Sequence, residues 1–145
     1  MTAPFIQPLT ATDYDQWRPL WEENNEGLCA SDVTRETWRR LIDPDSPVHG
    51  LALHANAQIA GILHYVLHPT TGQIAPVCYM QDVFIRPDHR RKGYARALIA
   101  ELAHIGKQKG WARIYWLADS RNEAAQTLYK TLGIRLDFSL HVLPL

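Results

Sequence analysis

The sequence predicts a single mixed α/β domain, built in layers, on three observations. Apolar residues recur with helical period in two late segments, Ala95 to Ile105 and Ala125 to Leu132. Three β-rich runs separated by turn residues lie between residues 49 and 86. The chain has 145 residues, of which 46% are hydrophobic and 21% charged, enough to bury one core and too apolar for disorder. No repeat, low-complexity stretch or linker divides it, so residues 1–145 read as one domain.

Each element has its own signal. Phe5 to Leu9 reads as a first strand. Thr12 or Asp13 can cap a helix carrying Tyr14, Trp17, Leu20 and Trp21, and Pro19 inside it predicts a kink or break. A second helix begins near Ser31 or Asp32, carries Val33, Trp38, Leu41 and Ile42, and ends in the loop Asp43-Pro-Asp-Ser-Pro. His49 to His54 and Gln58 to His68 form a hairpin around Ala55-Asn56-Ala57. Val77 to Arg86 is a further strand, stopped by Pro87. The helix from Ala95 ends at Gly110, with Lys107 and Lys109 in its last turn, where cations suit the helix dipole. Arg113 to Leu117 is a short strand, Asn122 to Leu132 a helix with Gly133 past its end, and Asp137 to Leu143 a closing strand. The order is β-α-α-β-β-β-α-β-α-β, with one further strand allowed at the end.

Net charge is +0, which gives no global field for nucleic acid or an anionic membrane. The charge is nevertheless uneven. Residues 1–46 hold nine acids and four bases, and residues 82–113 hold three acids and eight bases. Solvated helix faces explain this equally as well as a cationic acceptor in front and an anionic cofactor behind. Cys29 and Cys78 lie far apart with no metal or redox spacing, which predicts free thiols in a reducing compartment. The first residues carry no leader pattern, and no apolar run reaches the length of a membrane span. A cytoplasmic protein without a metal is the expectation.

The chemistry concentrates in Asp82-Val-Phe-Ile-Arg-Pro-Asp-His-Arg-Arg-Lys-Gly-Tyr-Ala-Arg. A strand leads into a basic turn and then into a helix, whose free N–H groups and dipole attract an anion. Gly93 lets the backbone approach a phosphate, Ala95 is small, and Arg90, Arg91, Lys92 and Arg96 supply charge. A plain turn glycine, an exposed basic face and a nucleic-acid contact stay open at this point. The spacing is neither that of a P-loop nor that of a dinucleotide fingerprint, against nucleotide hydrolysis and against NAD.

Arg90-Arg-Lys-Gly93-Tyr-Ala95 resembles the (Q/R)-x-x-G-x-(G/A) loop of the GNAT N-acetyltransferases, and Asn122, Ala125, Leu128, Tyr129 and Gly133 match that superfamily's second motif in order. Arg91 stands where many members have glycine, and Ile134 where an aromatic is usual. The resemblance covers most of the chain and is weakest over residues 1–48. It implies a mostly antiparallel central sheet flanked by helices. It implies acetyl-coenzyme A as cosubstrate, its pyrophosphate held at Arg90, Arg91, Lys92, Gly93, Tyr94, Ala95 and Arg96. Val83, Phe84 and Ile85, on a bulged strand, would offer N–H groups to the thioester and pantetheine, with Asn122 and Ala125 beside the pantetheine arm. Tyr129 would protonate the leaving thiolate in a direct transfer. From the residues alone Tyr129 is a core aromatic and Asn122 a helix cap.

Tyr79-Met-Gln-Asp82 resembles the Y-x-E-D of spermidine/spermine acetyltransferases, with Gln81 in place of the glutamate, and the whole looks closest to the histone/polyamine branch. Acceptor contacts in such proteins lie on the first helices, which here places Trp21, Glu26, Gln81 and Asp82 as acceptor-binding residues. His64, His68, His89 and His141 are candidate proton relays. Expected partners are a small-molecule amine and a second copy of the chain pairing through Phe138 to Leu143, without nucleic acid or membrane. The competing classes are a non-catalytic acetyl-CoA-binding module and a nucleic-acid module working through Arg86 to Arg96.

Overall fold

A two-residue turn sets the register of the sheet. In the computed structural model, which describes residues 3–145, Asn56 and Ala57 have φ values of 53° and 63°. Two left-handed residues in succession form the turn whose twist suits a hairpin. They join β2 (Val48–Ala55) to β3 (Gln58–His68), with Ala55 opposite Gln58. β1 (Phe5–Pro8) adds antiparallel to β2, and β4 (Val77–Ile85) antiparallel to β3. β5 (Ile114–Tyr115) lies parallel to β4, giving the order β1-β2-β3-β4-β5.

Side-chain alternation on the strands feeds two cores. On one face Ala52, Ile59 and Ile62 meet Trp17, Leu20 and Trp21 of α1 (Tyr14–Asn24) and Leu41 of α2 (Ser31–Ile42). On the other face Leu51, Leu53, Leu63 and Met80 meet Leu98, Ile99 and Leu102 of α3 (Tyr94–Lys109). Leu128 and Tyr129 of α4 (Glu123–Lys130) pack at the edge of that second core. Each fully buried leucine or isoleucine stabilises by roughly 1.5–3 kcal/mol. None of the described helices is long and apolar enough to cross a membrane.

Most of the expected elements are present, with three differences. α1 is not broken at Pro19: it runs on to Asn24, because losing one N–H costs less than undocking Trp17 and Trp21 from the sheet. β5 is only two residues long. The strand expected over Asp137 to Leu143 is absent among the described residues. Ile134, Leu136, Phe138, Leu140 and Val142 keep a strand's alternation but are all strongly exposed, Ile134 and Phe138 both at 86%. A strand needs a ladder partner to satisfy its backbone, and nothing in the described chain lies beside this one.

Ala57 pays for its left-handed backbone where glycine would not. Ala57→Gly is expected to stabilise the protein by about 1 kcal/mol, raising the melting temperature by roughly 2–4 °C in a thermal scan.

Candidate functional site

The site is organised by one extra residue in β4. β3 and β4 pair regularly from Gly61 opposite Ile85 to His64 opposite Asp82, then resume with Tyr65 opposite Met80. Gln81 is left over as a bulge. Side chains alternate along a strand, so the insertion turns Met80 and Val83 to the same face, toward α3, and Asp82 and Phe84 to the other, toward α1. The bulge expected at Val83, Phe84 and Ile85 therefore lies earlier, since those residues pair regularly with Leu63, Ile62 and Gly61.

β4 and β5 stay together only at Cys78 opposite Ile114 and Tyr79 opposite Tyr115. Past Tyr79 the outer edge of β4, from Met80 to Ile85, has no strand partner among the described residues. Its backbone groups face the split between the strands.

The loop at the end of β4 closes one side. Arg91 takes φ 62° and Gly93 φ 77° before α3 begins at Tyr94. Among the described residues, no side chain caps the first turn of α3, and a Cβ on Gly93 would meet nothing within 4 Å. Free N–H groups, open space and the exposed cations Arg91 and Lys92 fit a phosphate. Arg90 and Arg96 do other work. Arg90 Nε donates to the Ile85 carbonyl at 3.0 Å and its guanidinium lies 5.5 Å from the Phe84 ring centre, which holds the loop to β4. Arg96 Nη2 donates to Thr131 Oγ1 at 2.8 Å, joining α3 to the end of α4. Tyr94 stacks against buried His89, whose Nε2 accepts from the Gln58 amide and whose Nδ1 has no partner among the described residues.

After β5, Asn122 caps α4 by accepting the Ala125 N–H at 3.1 Å, and Ala125 and Tyr129 follow on that helix. The Tyr129 ring packs 5.4 Å from Trp116. Burial raises the Tyr129 phenol above its ordinary value of 10.0, so at neutral pH it carries its proton and can donate it.

On the α1 face, Asp82 is held at two points. Asn24 Nδ2 donates to Oδ1 at 3.2 Å, and His64 Nδ1 donates to Oδ2 at 3.1 Å. Its side chain remains 20% exposed. Burial first, then the charges of Asp82 and Tyr115, raises the Tyr79 phenol. Tyr79 stacks on Tyr115, whose hydroxyl donates to His68 Nε2 at 2.8 Å. His64 and His68 each have both ring nitrogens hydrogen-bonded.

The acceptor residues read from the sequence are only partly brought together. Gln81 is exposed beside Asp82. Glu26 is exposed at the turn after α1, with φ 55°. Trp21 belongs to the core instead: it is 8% exposed, donates to Thr34 Oγ1 at 3.0 Å and stacks on Trp17. Asn24 was not singled out by the sequence, since it meets Asp82 only across 58 positions. Burial pushes the Cys78 thiol up to about 12, which keeps it protonated and unsuited to nucleophilic work. The described residues contain no cluster of three or more metal-ligating side chains.

Comparison with known proteins gives a consistent pattern. The sequence profile of the acetyltransferase (GNAT) family matches residues 9–134. The D-amino-acid N-acetyltransferase HPA3 of Saccharomyces cerevisiae is 29% identical over 141 residues, 94% of this chain and 88% of that protein. A thialysine N-epsilon-acetyltransferase of Caenorhabditis elegans is 34% identical over 101 residues, 68% of this chain and 61% of that protein. Among solved structures, AAC(6')-Iy in complex with the bisubstrate analogue CoA-S-monomethyl-acetylneamine superposes with a TM-score of 0.85 at 19% identity, over 99% of this chain and 98% of that one. A ribosomal-protein-alanine N-acetyltransferase from Brucella melitensis biovar Abortus 2308 gives 0.81 at 22% identity, over 99% and 100%. These two likenesses show the fold.

A spectrophotometric titration tests the Tyr129 environment. The difference between wild type and Tyr129→Phe is expected to be one phenol ionising above 10.0. A difference curve centred at or below that value would contradict its burial.

Proposed function

The chain belongs to the acetyltransferase (GNAT) family, and on that premise we propose that it moves acetyl from acetyl-coenzyme A directly to the primary amine of a small cationic acceptor. The observation that supports the reading is the split between β4 and β5 near the N-terminus of α3, and Tyr129, on the helix that follows β5, is the phenol we assign to it. The amides of Arg91 to Ala95 hold the pyrophosphate, with Arg91 and Lys92 adding charge. The free edge of β4 at Val83, Phe84 and Ile85 supplies donors to the pantetheine and to the thioester oxygen as negative charge develops there. Asn122 and Ala125 flank the arm. The neutral amine attacks the thioester carbon, the carbon–sulfur bond breaks, Tyr129 gives its proton to the departing thiolate, and the proton shed by the acylated nitrogen passes through solvent to restore the phenol. Placing amine and thioester together supplies much of the rate.

Asp82 and Gln81 face the acceptor, with Glu26 at the rim. An uncompensated carboxylate favours an ammonium-bearing compound, and the D-amino-acid and thialysine acetyltransferases among the relatives act on amino compounds by name. Amino acids and lysine-like amines lead the candidate acceptors, with polyamines next on the resemblance of Tyr79 to Asp82. The two free cysteines suit work in the cytoplasm, by one domain spanning residues 1–145.

The test follows thiol release from acetyl-CoA with spermidine, D- and L-amino acids, a lysine-containing peptide and an aminoglycoside. Turnover on a small cationic amine is expected, with Tyr129→Phe lowering kcat roughly 10²–10⁴-fold while acetyl-CoA still binds. The alkaline limb of the wild-type profile lies above 10.0, because the raised phenol keeps its proton to higher pH. Acetyl-CoA binding without turnover on any acceptor points to a non-catalytic binding module. Failure to bind acetyl-CoA overturns the reading.

We also propose that a second copy of the chain covers the apolar ribbon from Ile134 to Val142. Its alternation and the short β5 support that occupant. Light scattering is expected to give a dimer for wild type and a monomer for a Phe138→Asp, Leu140→Asp variant. A wild-type monomer at working concentration rejects the pairing.

A further inference from the structure

Indole nitrogen carries a hydrogen and no acceptor lone pair, so it can only donate. Trp17 Nε1 lies 2.9 Å from His64 Nε2, with both side chains buried. His64 Nε2 must therefore be the bare, accepting nitrogen. A neutral imidazole has one N–H, and here it falls on Nδ1, the atom 3.1 Å from Asp82 Oδ2. The contact between His64 and Asp82 is a hydrogen bond from an uncharged ring, not an ion pair. The other carboxylate oxygen takes the Asn24 amide at 3.2 Å, again from a neutral donor. Among the described residues, the groups facing Asp82 are Asn24 of α1, His64 of β3 and the uncharged phenol of Tyr79 on β4, whose ionisation the carboxylate opposes. None of them is a cation.

We propose that Trp17 locks His64 in the Nδ1–H tautomer, and that this lock fixes Asp82 in orientation while leaving its negative charge uncompensated, so that Asp82 anchors a cationic group of the acceptor. A buried histidine with both nitrogens satisfied is by itself an ordinary core feature. What separates this one is where the chain of bonds ends. It runs from a fully buried indole through a buried imidazole to a carboxylate that is one-fifth open, at the residue the bulge turns toward α1. Trp17 and His64 are positioning residues in this arrangement, and Asp82 is the contact. The lock stands on geometry alone, and the anchoring rests on the acetyltransferase reading.

The first measurement is the nitrogen-15 spectrum of the histidine rings in the wild-type protein, with His64→Asn assigning the signal. A single neutral Nδ1–H form is expected for His64. An Nε2–H form, or a mixture of the two, overturns the lock whatever the protein catalyses. Trp17→Phe, checked for folding by the remaining amide spectrum, is expected to return His64 to a tautomer mixture. It should raise KM for a lysine-like acceptor several-fold with kcat nearly unchanged. Asp82→Asn is expected to raise that KM roughly ten- to a hundredfold, with acetyl-CoA binding unaltered. A locked tautomer in a protein without turnover on any amine would keep the lock and remove the acetyltransferase reading. A locked tautomer with Asp82→Asn leaving KM unchanged would remove the anchor.

Discussion

The arrangement of the site depends on the single residue by which β4 falls out of step with β3. Without the Gln81 bulge, Asp82 would share a face with Met80 and point toward α3 and the apolar core. A carboxylate there would be buried without a partner, at several kcal/mol. With it, Asp82 reaches Asn24 and His64, while Val83 and Ile85 keep the α3 face packed. One insertion thus serves both cores and separates a polar acceptor side from an apolar one. The split of β5 from β4 begins within the same short stretch, so carboxylate and open strand edge are adjacent by construction.

The phosphate loop is made mainly of backbone. Of its cations, Arg90 is committed to the Ile85 carbonyl and Phe84, and Arg96 to Thr131. Both fix the position of α3 relative to β4 and α4, which aims the uncapped first turn. Arg91 takes a left-handed backbone that an L-residue adopts only at a cost of about 1–2 kcal/mol. That strain is tolerated where the surrounding loop leaves no alternative path, and it presents successive N–H groups on one side.

What the sequence made legible were features encoded within a few neighbours. α3 and α4 follow from the periodicity of Leu98, Leu102, Leu128 and Tyr129, and the cap on α4 from Asn122. The hairpin follows from a turn between two β-rich runs. What stayed hidden belongs to pairs of distant segments. A bulge is a property of two strands, so its position at Gln81 rather than at Val83 to Ile85 has no local sign. Asn24 has no motif of its own. The resemblance places acceptor contacts on the first helices and so points to Trp21, yet its spacing of four from Trp17 is a core signal, and the side chain is buried. The closing strand failed for the opposite reason: its alternation is clear, but alternation states which face is apolar, not whether a ladder partner exists.

The stacking of Trp17 on Trp21, 5.5 Å apart and 13° from parallel, with the His64 ring edge-on to Trp21, has an optical consequence. Indoles fixed in a chiral, solvent-free setting give near-ultraviolet circular dichroism, which vanishes when side-chain packing loosens even if secondary structure persists. This pair sits on the α1 face, against the same imidazole that meets the carboxylate. The protein therefore carries its own chromophore for the order of one layer, readable without a label and without a substrate.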